Sequence, residues 1–146
     1  DVGGVSRARS LAEMLNAPIA IIAKRRPEPN QVDIMEIIGD VNGKRCLMID
    51  DMIDTGGSII RGAEELRKRG AIDVIACCTH PILSASAPQK LQDSVLSRVI
   101  TMDTIPIDNQ KQVSKLTVLP IAPLLGEAIR RIHLNESVSS LFDEWK

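Results

Sequence analysis

Short continuous apolar runs alternate with stretches of helical spacing along this chain. Leu11, Met14 and Leu15 fall on one side of a predicted helix over 5–15, with Arg7, Arg9 and Glu13 elsewhere. Ile19–Ala23 reads as a buried strand. Lys24–Gln31, with two prolines and three consecutive cations, reads as a loop. Val32–Ile38 and Arg45–Ile49 flank Gly39-Asp40-Val41-Asn42-Gly43, a turn-rich connection that predicts a hairpin. Ile59–Arg69 has helical spacing and stops at Gly70. A buried strand at Ile72–Thr79, a helix within Ala85–Leu91, and strands at Arg98–Met102 and Leu116–Leu119 follow. The last helix, Ile121–Leu134, tolerates Pro123 in its first turn. Strands alternating with helices predict an α/β fold: a mostly parallel sheet covered on both faces, with ligand loops at the strands' carboxyl ends.

Composition narrows the classes. The chain has 146 residues, 44% of them hydrophobic and 25% charged, as suits a single globular domain over 1–146 with a tail at 135–146. A net charge of −1 gives no support for a nucleic-acid or membrane partner. Phe142 and Trp145 are the whole aromatic complement, so stacking of single-stranded bases is not expected. Cys46, Cys77 and Cys78 lie in strand-like runs without metal spacing and read as small apolar residues of a reducing compartment. No run approaches the ~18 apolar residues of a membrane helix, and no signal peptide is visible, so the expected location is cytoplasmic.

The segment that carries chemistry is Asp50-Asp51-Met52-Ile53-Asp54-Thr55-Gly56-Gly57-Ser58, directly after the apolar run Cys46–Ile49 and before a helix. Thr-Gly-Gly-Ser by itself reads equally as a capped turn. Three acids at the end of a buried strand change that balance, because ionised carboxylates repel and resist desolvation. Backbone N–H groups of Thr55 to Ser58, with the helix dipole, suit a phosphate. Asp50 and Asp51 would accept hydrogen bonds from sugar hydroxyls. The segment has neither the Gly-x-x-x-x-Gly-Lys pattern of nucleotide P-loops nor the Gly-x-Gly-x-x-Gly of dinucleotide sites.

The nine residues resemble the phosphoribosyl-diphosphate (PRPP) loop of type I phosphoribosyltransferase folds. Asp1–Arg9, Lys24–Asn30, Cys77–Pro81 and Ser137–Phe142 extend the likeness to the carboxyl-terminal half of the ribose-phosphate diphosphokinase family, the PRPP synthetases of the bacterial, phosphate-dependent type. The resemblance implies transfer of the β,γ-diphosphoryl group of ATP to ribose 5-phosphate, with AMP released and Mg²⁺ as cofactor. It also implies a homo-oligomer, a hexamer in the family, and phosphate or ADP as effectors.

Carried over residue by residue, Lys24 and Arg26 are the catalytic cations. Arg26, Asp50, Asp51, Asp54, Thr55, Gly56, Gly57 and Ser58 bind ribose 5-phosphate. Asp1, Gly3 and Gly4 form the diphosphate loop, with Asp1 as the Mg²⁺ ligand. Ser137, Val138, Ser139, Ser140, Leu141 and Phe142 would belong to an allosteric anion site, with a frayed polar tail after the last helix an equally weighted expectation. Many relatives carry an acid before the lysine, where this chain has Ala23. The chain begins without Met, and the resemblance places the ATP adenine site and a histidine metal ligand upstream of Asp1; alone, the chain is expected to be inactive. Arg7 and Arg9 read as surface cations, and His80 as structural. The alternatives are a PRPP-consuming phosphoribosyltransferase, for which no base-binding hood is visible, and a catalytically silent synthetase-like regulator.

Overall fold

The computed structural model describes residues 2–25, 34–108, 111 and 113–142, with the side chains of 2, 3, 24, 25, 34 and 35 outside that description. In chain order the elements are α1 (Val2–Met14), β1 (Ile21–Arg25), β2 (Ile34–Ile38), β3 (Arg45–Ile53), α2 (Gly57–Lys68), β4 (Asp73–Pro81), α3 (Ala87–Asp93), β5 (Arg98–Met102), β6 (Leu116–Leu119) and α4 (Ala122–His133). Strands β3-β4-β5-β6 form a parallel sheet in that order, and β1 and β2 form a separate antiparallel pair. The expected α/β class with a mostly parallel sheet is what the chain adopts.

Two expectations about strands change. Residues 34–38 pair with β1, Ile21 opposite Ile38 and Arg25 opposite Ile34, and form no hairpin with 45–49. β3 instead runs parallel to β4, with Arg45 beside Asp73 and Asp50 beside Cys78. A continuously apolar strand suits a parallel sheet better than a hairpin with one wet face. Lys24 and Arg25 also close β1 rather than open a loop. At the other end of the chain's first helix, Gly3 and Gly4 lie in the opening turn of α1, not in a loop before it.

Helix α2 ties the two sheets together. Its apolar positions Ile59, Ala63 and Leu66 recur at helical spacing and are all buried. An added Cβ on Gly62 would lie 2.7 Å from Met48 Cε of β3 and 3.1 Å from Ile22 Cδ1 of β1, so the helix packs close against the side-chain tips of both strands, and a larger residue there would make those tips move. The helix ends in a Schellman motif. Gly70, at φ 92°, donates to Arg67 O at 3.0 Å, and Ala71 donates to Leu66 O at 3.0 Å.

Burial is lopsided. Val74, Ala76 and Cys78 of β4 and Val99 and Thr101 of β5 form a buried face with α2 and Leu91 of α3. The opposite face, carrying Ile75, Cys77 and Ile100, is only half-buried, so the sheet is not covered equally on both sides. Helix α4 buries none of its residues, and Leu125, Ile129 and Ile132 on it are exposed.

Candidate sugar-phosphate site

β3 stays extended through Asp50 and Asp51 to Ile53, so the acids stand on the strand and the loop shrinks to Asp54-Thr55-Gly56. Gly56 is the N-cap of α2, at φ 75° and ψ −7°, a left-handed conformation that glycine adopts without steric cost. No side chain caps the helix there. The first N–H groups of a helix have no intrahelical acceptor, and its dipole places positive potential at that end. Gly57 is already helical, and a Cβ on it would meet Arg61 Nη1 at 3.5 Å, an ordinary contact. Gly56, not Gly57, is therefore the glycine the backbone requires.

Arg7, expected on the surface of α1, instead reaches the acids. Its Nη2 lies 3.8 Å from Asp50 Oδ1 and 3.4 Å from Asp51 Oδ2, and its Nε is buried without a hydrogen-bond partner. Asp51 N donates to Asp50 Oδ1 at 2.9 Å. Partial burial pushes the Asp51 carboxyl up, but hydrogen bonding with Asp50, the Arg7 charge and backbone amides outweigh it and hold the group below its usual range. Arg7 thus neutralises part of the repulsion that argued against these acids as packing residues. Helical phase alone does not distinguish it from Arg9; only the tertiary contact of α1 with β3 does.

Asp54 is held from a strand away. Ser84 Oγ donates to Asp54 Oδ1, and Ser84 N donates to Asp54 O at 3.2 Å. On the same rim, His80 lies beside Met52. Thr104 Oγ1 donates to Thr79 O at 2.8 Å and lies 3.0 Å from His80 Nδ1. His80 is exposed, and its ring is held by this contact with Thr104. Cys78 shares a face with Asp50, and burial pushes its thiol up, helped by the Asp50 charge and opposed by hydrogen bonds with Thr101 and Ile53. Burial likewise raises the Cys46 and Cys77 thiols, and all three cysteines are free.

Of the remaining expected site residues, Gly4 has open space around it: an added Cβ would meet no atom within 4 Å. Gly3 is placed by its backbone alone, in α1. Lys24 is likewise placed by its backbone alone, opposite Met35. Asp1 and Arg26 lie outside the described residues. Thr55 and Ser58 are exposed beside the loop. Among the described residues no cluster of three or more His, Cys, Asp or Glu side chains could hold a metal ion, and no helix is long and apolar enough to cross a membrane.

Ser137–Phe142 is organised rather than frayed. Ser139–Phe142 forms a 3₁₀ turn. Arg131 of α4 donates to Ser137 O at 3.2 Å and to Ser140 Oγ, while Ser140 Oγ donates to Ser137 O at 2.8 Å. Arg130 forks between Glu127 at 2.9 Å and Glu136 at 2.7 Å. Hydrogen bonds from Arg130 and then Arg131 pull the Glu127 carboxyl from 4.5 down to about 2. Whatever this staple contributes is fully present above pH 4.5 and is lost as pH falls toward about 2. We expect NMR signals of Ser137–Phe142 to shift over that window. In Glu127→Gln the change should vanish; its persistence would assign it to another group.

A parallel sheet with a helix N-terminus and three acids at its carboxyl edge defines an α/β domain of the kind that places ligand loops at the carboxyl ends of its strands. The chain matches the model of the phosphoribosyl synthetase-associated domain over residues 7–143. It is 54% identical over 144 residues to a ribose-phosphate pyrophosphokinase of Clostridium acetobutylicum, covering 99% of this chain and 45% of that protein. It is 50% identical over 143 residues to one of Listeria ivanovii, covering 98% and 45%. The crystal structure of phosphoribosylpyrophosphate synthetase from Mycobacterium smegmatis aligns with a TM-score of 0.78 at 41% identity, over 88% of this chain and 42% of that one. The chain belongs to the ribose-phosphate pyrophosphokinase (PRPP synthetase) family, and it spans about 45% of the length of these relatives.

Proposed function

We propose that this chain is the ribose 5-phosphate-binding part of a ribose-phosphate diphosphokinase. The observation that carries the reading is the left-handed Gly56, which sets the uncapped N-terminus of α2 beside Asp50, Asp51 and Asp54. A phosphate would sit on the first turn of α2 and the Thr55 and Ser58 hydroxyls, with the ribose hydroxyls on the acids. Lys24 and Arg26 would supply cations to the oxygens that gain charge as diphosphate leaves ATP, the largest kind of contribution in such a transfer.

Asp1, the ligand that the family resemblance implies, would hold Mg²⁺ together with the substrate's own phosphates, since Mg²⁺ commonly takes one or two carboxylates plus substrate phosphates. When bound, the ion would neutralise phosphate charge. Gly3 and Gly4 would let a diphosphate approach α1. The rest of the parent would contribute the adenine pocket and the oligomer contacts, and Ser137–Phe142 an effector site for phosphate or ADP.

Calorimetry and an AMP-release assay test the proposal together. The 146-residue chain should bind ribose 5-phosphate, and Ser58→Ala should weaken binding by about 1.5–3 kcal/mol, the range for a hydrogen bond to a charged group. With ATP and Mg²⁺ added it should release no AMP, because transfer requires both substrates to be held together. Failure to bind ribose 5-phosphate would overturn the sugar-phosphate assignment. Robust turnover would show that the ATP site lies within these residues.

A further inference from the structure

The segment after β4 does more than connect it to α3. Leu83, 1% exposed, and Ala85 both adopt left-handed backbone angles, φ 49° and 50°, which non-glycine residues hold only where their surroundings enforce them. The enforcing contacts run toward the phosphate loop. Leu83 N donates to Ile53 O at 3.1 Å, Ser84 N donates to Asp54 O at 3.2 Å, and Ser84 Oγ donates to Asp54 Oδ1. From the other side, Lys111 Nζ donates to Ile82 O at 3.2 Å. The ladder thus continues from the last residue of β3, Ile53, into the loop as three bonds, one to Ile53 and two to Asp54. Asp54 Oδ2 has no bonded partner among the described residues.

We propose that Ser84 is a positioning residue that selects sugar phosphates over bare phosphate at this site. By taking Oδ1, and by fixing the Asp54 backbone, it leaves Oδ2 as the acceptor aimed at a sugar hydroxyl. The phosphate, held by the helix N-terminus, does not depend on it. The inference rests on the sugar-phosphate reading above. It assigns to a residue 30 positions downstream the rotamer of an acid within the loop.

The test titrates ribose 5-phosphate and inorganic phosphate into the unsubstituted chain, Ser84→Ala and Ser84→Thr, with thermal denaturation of each. Ser84→Ala should weaken ribose 5-phosphate about tenfold, the effect of losing one charge-assisted hydrogen bond. Its inorganic phosphate affinity should stay within about twofold of the unsubstituted chain, since the helix N-terminus is untouched. Ser84→Thr, which keeps the hydroxyl, should restore discrimination. Equal weakening of both ligands would make Ser84 a general structural residue, and unchanged ribose 5-phosphate affinity would remove its role; either outcome overturns the inference. If the unsubstituted chain binds neither ligand, the sugar-phosphate reading falls and this inference with it.

Discussion

Lys24→Ala in the full-length parent should lower the turnover number about 10²–10³-fold while ribose 5-phosphate affinity changes little. That split is expected of a cation directed at charge that develops only during transfer, because an interaction absent from the ground state contributes nothing to binding. The fold gives the lysine a defined address. It is the penultimate residue of β1, paired with Met35, in a hairpin that rests on α2 through Ile22 and Gly62. The N-terminus of the same α2 is the proposed phosphate loop, so one helix would set the lysine's strand and the acceptor's phosphate relative to each other. Pre-steady-state measurement of AMP formation separates the step from product release. An unchanged rate would reduce Lys24 to a surface charge.

Gly56→Val should abolish measurable ribose 5-phosphate binding and lower the melting temperature. A branched residue forced into the left-handed region costs about 1–2 kcal/mol, and at this chain length each kcal/mol shifts the midpoint by about 2–4 °C. The Cβ alone would be accommodated, 3.5 Å from Ile60 Cδ1 and 3.6 Å from Leu91 Cδ2. The conformational cost therefore decides the outcome: the loop would relieve it by turning the first amides of α2 away from the ligand. Gly57→Ala is the control and should behave as the unsubstituted chain, because residue 57 is helical and its Cβ meets no atom closer than 3.5 Å. Equal ribose 5-phosphate affinity in Gly56→Val and the unsubstituted chain would sink the loop assignment.

The legible parts of the fold were those whose signals are local. The turn at Asp54-Thr55-Gly56 and the helix after it were legible because glycine placement and apolar spacing sit within a few residues of each other, although the helix starts at Gly57 and not at Ile59. The Gly70 stop, β5, β6 and the proline-started α4 were legible for the same reason. The hairpin was misread because pairing is not local. Residues 34–38 have an apolar run on either side, Ile19–Ala23 and Cys46–Ile49, and nothing in 34–38 says which becomes the partner. Arg7 and Ser84 escaped notice for a related reason. Each owes its place to a carboxylate on another element, 43 or more positions away for Arg7 and 30 for Ser84. The acids themselves were legible as excess charge at a strand end; the groups that tame them were not.

The division into two sheets gives the protein a seam. The β1–β2 pair is attached to the larger sheet through α2, through Ile37 in the core, and through Arg69 Nη1 donating to Ile37 O at 3.2 Å. A two-stranded ribbon has little stability of its own, so those attachments set the cost of lifting it, and that cost is below the cost of opening the four-stranded sheet. β3 to β6 and the phosphate loop can stay folded while the ribbon detaches. Amide exchange along 21–25 and 36–38 should thus be governed by a partial opening that the amides of β4 never experience. The proposed catalytic lysine rides on the half of the seam that can come away, while the proposed phosphate loop at Asp54–Ser58 stays with the other half.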